Sequence, residues 1–388
     1  GVDFFYLQAR TGIAFFYLKK HRKATKYFYR AWENDQNFEW LQEYLYYSLI
    51  YSGRYNEASK IAKNFTASLQ AKINYSPGKI TRVAAEAGYS FNPDFESLTD
   101  AAHNEKAGVG SDYGEAFYLK NHHFESFELS HQITPGFILT HNFTYLGINR
   151  EERIDWGSRN TFPMKTNQLQ YYINPTFVAG KKLYLSASAS LIWGSYDMML
   201  GGLNRNSLPY FFEKASNFGD YVFSASGWSH FGNISPGTEI NIANINNSTL
   251  TQVSGWMTFY PFSNANFYLT PRVWFKSSES NNFGFNTFGI SGGIQFGHMH
   301  FYGQYLNGDM ENFIEPAGYV VANFPGTSSR KYSGSFYFPT GKKTQLVLRY
   351  INQDVTEKYN VYTNGVRNNS SEYSYIKHTL TGGISWNF

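Results

Sequence analysis

His298 and His300 flank Met299, two imidazoles at the i and i+2 positions of a turn, close enough to share a metal ion. No carboxylate or third ligand lies near them in sequence, so the pair reads as a solvated turn and no metal site is expected. His122, His123, Glu125 and Ser126 supply the residue types of a nucleophilic Ser/His/acid set. Their near-consecutive spacing fits a polar strand equally well. Acidic clusters occur at Asp94-Phe95-Glu96, at Glu151-Glu152-Arg153-Ile154-Asp155 and between Glu311 and Glu315. Clustered carboxylates could hold calcium through their oxygens, but solvated loops account for them more simply. The chain has no cysteine, which removes disulfides, thiolate zinc sites and cysteine nucleophiles together. No glycine loop suited to phosphate is present. The expectation is therefore no catalytic residue, no cofactor and no enzymatic activity.

The elements that carry these residues are set by composition and period. Of 388 residues, 19% are aromatic and only 16% charged, and the net charge is +4. Soluble domains average roughly 25% charged residues, and so small a net charge gives no footprint for nucleic acid. No run approaches the ~18 apolar residues of a membrane helix. Gly1 in place of a starting Met suggests a processed or truncated chain, so no leader is expected in view.

Residues 1–77 have a helical period. Ala24 and Ala58, Phe28 and Ala62, Ala31 and Phe65, and Phe15 and Leu49 all stand 34 residues apart. Gly12, Ala24, Ala31 and Ala58 are small residues where paired helices must approach closely. Ser52-Gly53-Arg54-Tyr55-Asn56-Glu57-Ala58 opens the second helix of the second unit. This spacing resembles the tetratricopeptide family, helix-turn-helix units of 34 residues, over residues 5 to about 70; the family's Trp and Pro positions are not kept. Two units fall short of the ~3 that such stacks need, so either further repeats precede Gly1 or the rest of the chain supports them. The resemblance implies a groove for a protein partner, with Tyr6, Ile13, Trp40 and Tyr47 as its lining; packing between helices explains the same aromatics.

After Pro77-Gly78 the period becomes two. Leu183, Leu185, Ala187, Ala189, Leu191 and Trp193 alternate with Tyr184, Ser186, Ser188 and Ser190. Only a strand sends alternate side chains to opposite faces. Runs of about 10 to 14 residues suit tilted membrane strands better than the ~5 to 6 of soluble ones. Short turns such as Thr134-Pro135-Gly136, Ala179-Gly180-Lys181 and Pro339-Thr340-Gly341 alternate with longer polar stretches at 93–112, 150–166, 197–217, 244–248, 278–283, 308–325 and 354–372. The count is about fourteen strands over 78–388. A soluble propeller or sandwich would explain the strands and turns, but less well their length and the paucity of charge. The last strand, Thr379 to Phe388, ends on an aromatic residue and resembles the closing strand of outer-membrane β-barrels. That resemblance implies a closed antiparallel transmembrane barrel among outer-membrane lipids, with Trp193, Trp386 and Phe388 in its interfacial aromatic girdle. The inward positions are mostly neutral, with Arg349 and Lys377 as candidate lumen charges on neighbouring strands. Whether that lumen is open or filled stays undecided.

The predicted fold class is thus α plus β: tetratricopeptide-like helices on the periplasmic side, then an outer-membrane barrel. The arrangement resembles exporters of cellulose and poly-N-acetylglucosamine, and also surface lipoprotein assembly modulators. Abundant Asn, Tyr, Phe and Lys is similar to outer-membrane proteins of Bacteroidetes. These likenesses imply a non-enzymatic component of an export, secretion or surface-assembly system for polypeptide, lipoprotein or polysaccharide. The alternative is a scaffolding subunit of a larger outer-membrane complex.

Overall fold

A computed structural model describes residues 4–75, 80–101, 113–278, 281–323, 326–364 and 366–388. The Pro77-Gly78 boundary and part of the 93–112, 278–283 and 308–325 stretches lie outside them. Five helices come first: α1 (Phe5–Tyr17), α2 (His21–Asn34), α3 (Glu39–Ile50), α4 (Tyr55–Ala62) and α5 (Ala67–Lys72). The 34-residue pairs explain their packing. Ala24, Ala58, Phe28, Ala62, Ala31, Phe65 and Leu49 are all buried in one core, against which Phe15 packs. Gly12 lets α1 meet α2, since a Cβ there would lie 2.5 Å from the Phe28 ring. Two helical hairpins and a shared core follow, with α5 capped by the Thr66 hydroxyl, which accepts the Leu69 N–H.

Fourteen strands close into one ring in sequence order, β14 pairing with β1. They are β1 (Ile80–Phe91), β2 (Tyr113–Thr134), β3 (Phe137–Trp156), β4 (Ser158–Ala179), β5 (Leu183–Leu203), β6 (Pro209–Ser229) and β7 (Ile234–Ile245). They continue as β8 (Ser248–Phe259), β9 (Phe267–Ser278), β10 (Asn281–Phe296), β11 (Met299–Gly308), β12 (Arg330–Pro339), β13 (Thr344–Thr363) and β14 (Val366–Asn387). A short helix, α6 (Phe95–Ala101), follows β1. Closure leaves no open sheet edge, which is what lets a sheet satisfy its backbone in lipid.

The barrel is inverted relative to a soluble core. Each of the fourteen strands carries at least one large apolar side chain exposed to the outside, among them Phe127, Phe143, Leu191, Ile242, Leu348 and Leu380. Ser186, Ser188, Ser190, Asn241, Gln252 and Thr379 are buried inside. An apolar belt of this extent is far larger than soluble monomers expose, whereas apolar-out, polar-in alternation is what a membrane barrel requires.

Three stretches read as loops are instead strand. Residues 150–166 form the end of β3 and the start of β4, 197–217 the β5–β6 hairpin, and 354–363 and 366–372 paired ends of β13 and β14. These hairpins rise beyond the apolar belt into water, where neither face needs to be greasy. The ladder persists there without the alternation that announces it elsewhere. The 244–248 stretch likewise reduces to a tight turn at Asn246 and Asn247, both with positive φ. The acidic cluster Glu151 to Asp155 accordingly lies on β3, with Glu152 and Asp155 buried rather than in a solvated loop.

Candidate functional site

The helices sit on one rim of the barrel, and the contacts come from α2, α4 and the turn before α2. Arg22 inserts between strand turns. Its Nε donates to the Gly232 carbonyl at 2.7 Å and its Nη2 to the Ser235 hydroxyl at 2.8 Å, while its guanidinium stacks 3.7 Å from the Tyr260 ring centroid. Ser235 lies 2.6 Å from His230 Nδ1. The Arg22 N–H reaches the Ser263 carbonyl, and Asn264 donates to the Lys19 carbonyl. Lys60 on α4 donates to the Val178 and Gly180 carbonyls at 2.8 Å each. Lys181 pairs with Glu33 at 2.6 Å, and Gln132 donates to Ser59. Four turns are engaged, those after β2, β4, β6 and β8.

Burial shapes the charges in this joint. Desolvation lowers Arg22 to about 10, partly offset by Tyr260. Burial likewise pushes His230 down to about 2, helped by the charges of Arg54 and Arg22, so it is neutral when docked. Burial raises the Glu57 carboxyl despite its ion pair with Arg54.

The helices also carry an exposed aromatic face. Trp40, Tyr44, Tyr47 and Tyr51 follow one stripe of α3 at helical spacing. Tyr17 on α1 meets Tyr44 hydroxyl to hydroxyl at 3.0 Å, and Phe5 bridges Tyr6 and Trp40 with ring centroids 5.2 and 6.1 Å away. Tyr6, Tyr17, Trp40 and Tyr51 are exposed, whereas Ile13 and Tyr47 pack partly against the helical core.

The lumen is crossed by the segment joining β11 to β12, which folds inward from the far rim. Met310, Phe313 and Ile314 are buried in it. The first two pack against Trp274 and Leu306, and Ile314 against Val222, Ala243, Ile245 and Leu250. Full burial of such side chains contributes about 1.5–3 kcal/mol each. The segment's backbone is held by inward-facing side chains from around the ring. Lys276 of β9 donates to the Glu311 carbonyl, Gln252 of β8 to that of Ile314, and Gln170 of β4 to that of Tyr319. Glu239 of β7 accepts the Ala317 N–H at 2.9 Å, Ser188 of β5 donates to the Ala317 carbonyl, and Lys331 of β12 pairs with Glu315. At the tip, Ala317 and Gly318 both have positive φ, +62° and +69°. A Cβ on Gly318 would lie 2.6 Å from the Ser224 hydroxyl.

Arg349 points inward, paired with Glu86 at 3.2 Å and donating to Ser335. Lys377 stands in register with Gln353 and, through it, Lys331, within electrostatic reach of Glu357 and Glu315. Trp193 is on the outer face well up β5, Trp386 near the helix-side end of β14, and Phe388 follows it; all three are exposed. The His122–Ser126 set is not brought together: four steps along the strand put the two roughly 13 Å apart, and Ser126 instead bonds Asn142 and Thr144. His300 stacks on Tyr268. Arg22, His230, Ser235 and the β11–β12 segment carry most of this geometry, and spacing singled out none of them. Partners of Arg22 lie more than 200 residues away, so no local pattern announces them.

A closed ring with a polar interior and an apolar belt, bearing helices on one rim, defines an outer-membrane β-barrel. No protein-family model matches the sequence, and no curated protein matches it. Among solved structures the chain is similar to a Pseudomonas aeruginosa FadL homologue, at 8% identity and TM-score 0.49, over 85% of this chain and 94% of that one. It is also similar to a deletion mutant of the TodX monoaromatic hydrocarbon channel, at 10% and 0.48, over 86% and 95%. A third is the Ralstonia pickettii toluene transporter TbuX, at 7% and 0.42, over 81% and 90%. Likeness at this level is one of barrel architecture alone.

Proposed function

We propose that this chain is the membrane-embedded docking subunit of an outer-membrane assembly or export system. In this reading the barrel anchors the helices, and the helices present their aromatic face to a protein partner in the periplasm. The observation that carries it is the division of labour between helix faces. α2 and α4 are committed to the rim, while Tyr6 and Tyr17 of α1, Trp40 of α3 and Tyr51 at its end stay exposed among the described residues. Exposed aromatic stripes of this size favour partner recognition over solvation. The 34-residue spacing supports a tetratricopeptide-like module, whose grooves take protein segments, and Tyr6, Ile13, Trp40 and Tyr47 are its proposed lining.

The filled lumen favours a scaffolding role over a standing pore. Export through the barrel is the second reading, and it requires the β11–β12 segment to leave. The test is purification from the native membrane in mild detergent, with mass spectrometry of what accompanies the chain. The wild type is expected to bring a stoichiometric partner, and the Tyr6→Ala/Trp40→Ala variant to lose it while its barrel remains folded. A wild-type chain that purifies alone, or a partner retained by the variant, would overturn the reading.

A further inference from the structure

At the far rim, a cavity of about 610 Å³ lies between β2, β3 and the end of β13, and residues of the β5–β6 hairpin cover it. That volume falls in the range of small-molecule sites, ~300–1,000 Å³. Tyr113, Trp156, Tyr362 and Met199 are among the residues that line it. Two carboxylates share it. Glu152 is only 2% exposed, and its Oε2 accepts the Met199 N–H at 3.1 Å. Glu115 accepts the hydroxyls of Tyr113 and Tyr362, each at 3.0 Å.

Among the described residues, no cationic side chain lines the cavity. Among the described residues, neither Glu115 nor Glu152 enters an ion pair. Some other acids along this rim and in the lumen do: Asp155 pairs with Arg153 and Arg159, Asp309 with Lys276, and Glu315 with Lys331; Asp220 and Glu357, also buried, are held by hydrogen bonds from Asn246 and from Tyr373 and Tyr375 instead. Arg367, exposed and outside the cavity wall, is the cross-strand partner of Tyr362 and acts on it electrostatically. Burying a charge without a partner is strongly unfavourable, and two carboxylates in electrostatic contact compound it. A cleft of one sign with low-dielectric walls also concentrates its field on whatever enters. Aromatic faces present negative potential as well, and they attract cations within about 6 Å of the ring centroid.

We propose that this cavity is a binding site for an organic cation, an alkyl-ammonium or guanidinium group whose head lies between Glu115 and Glu152 and whose stem lies against Trp156 and Met199. A metal ion fits less well. Calcium takes 6–8 oxygen ligands, and this wall is rings and thioethers around two carboxylates. No group of three potential metal ligands occurs among the described residues. The cation could be a free amine or a basic side chain of a peptide.

Isothermal titration of the full chain in detergent micelles tests this with four probes: n-butylammonium, N-acetyl-lysine amide, n-butanol and Mg²⁺. Butylammonium is expected to bind saturably and at least about tenfold more tightly than butanol, as a charge-assisted contact worth more than 1.4 kcal/mol implies. Glu152→Gln and Glu115→Gln should each weaken it about tenfold. Binding of the blocked lysine would identify a basic side chain as an acceptable source, and its failure would leave a free amine. Equal affinity for butanol, or binding of Mg²⁺ alone, overturns the proposal. The wild-type comparison stands even if a Gln variant fails to fold. Trp156→Leu, which keeps both carboxylates, gives a second check, since losing the ring should weaken butylammonium and leave butanol nearly unaffected.

Discussion

Arg22 and His230 show how a single joint can tie two folds together. Arg22 donates to the Gly232 carbonyl and to the Ser235 hydroxyl, and it rests on Tyr260. Removing a hydrogen-bond partner so that buried polar groups are left unsatisfied costs about 1–3 kcal/mol. Arg22→Met should therefore release the helices from the rim. The measurement is limited proteolysis: faster cleavage within residues 4–75, with unchanged heat-dependent gel mobility of the barrel. Unchanged cleavage would mean that the Lys60 and Lys181 contacts suffice. His230 gives the joint a pH dependence whose sign follows from linkage. Its docked value is depressed to about 2, against an ordinary 6.5, so only the undocked state takes up a proton between those values. Docking is then fully stable above about pH 6.5 and weakens as pH falls, by about 1.4 kcal/mol per unit. His21, also lowered by burial and by Lys19, acts in the same direction. Glu57, whose carboxyl is raised, acts oppositely once its own protonation begins. Helix release should therefore increase between pH 7 and pH 5.5 in the wild type and be blunted in His230→Asn. A flat wild-type profile would rule out His230 as the titrating group.

At the scale of elements, the β11–β12 segment decides whether the barrel is a passage. Its tip places two consecutive residues at positive φ, a conformation that costs Ala317 of order 1 kcal/mol or more. The surrounding bonds from β4, β5, β7, β8, β9 and β12 hold it there. Gly318→Val adds bulk where Ser224 and Val222 already stand, in a conformation a β-branched residue resists. The tip should be displaced. In planar bilayers the wild type is expected to be silent, Gly318→Val to flicker, and a variant with 310–322 replaced by a short Gly-Ser linker to conduct steadily. Conductance in the wild type equal to that of the deletion would mean the segment does not seal the lumen. The sequence made this element visible only as a polar interruption at 308–325. The signal for its inward fold is its apolar residues, Met310, Phe313 and Ile314, which pair with apolar positions on the lumen wall far away in sequence. The strands were legible for the opposite reason. Lipid outside and polar groups inside impose alternation on Leu183 to Trp193, and that constraint lapses in the hairpins beyond the belt. The helices were legible through their 34-residue pairs, because packing two hairpins into one core repeats the demand for small residues at Ala24 and Ala58.

The whole molecule has one sense of direction. Helices stand on the rim formed by the short turns, and the long hairpins of β3–β4, β5–β6 and β13–β14 rise from the other. In an outer-membrane barrel short turns face the periplasm and long connections face outward. The docking face and the amine cavity would then address different compartments through one filled barrel, and orientation is the claim on which both depend. The chain's lack of cysteine makes it directly measurable. Lys63, exposed after α4, and Asn206, exposed at the tip of the β5–β6 hairpin, can each be replaced by a single cysteine. A membrane-impermeant maleimide added to intact cells should label Asn206→Cys and leave Lys63→Cys untouched until the outer membrane is permeabilised. The reverse order would place the helices at the cell surface. The aromatic face on α1 and α3 would then meet extracellular partners, and the amine cavity would face the periplasm.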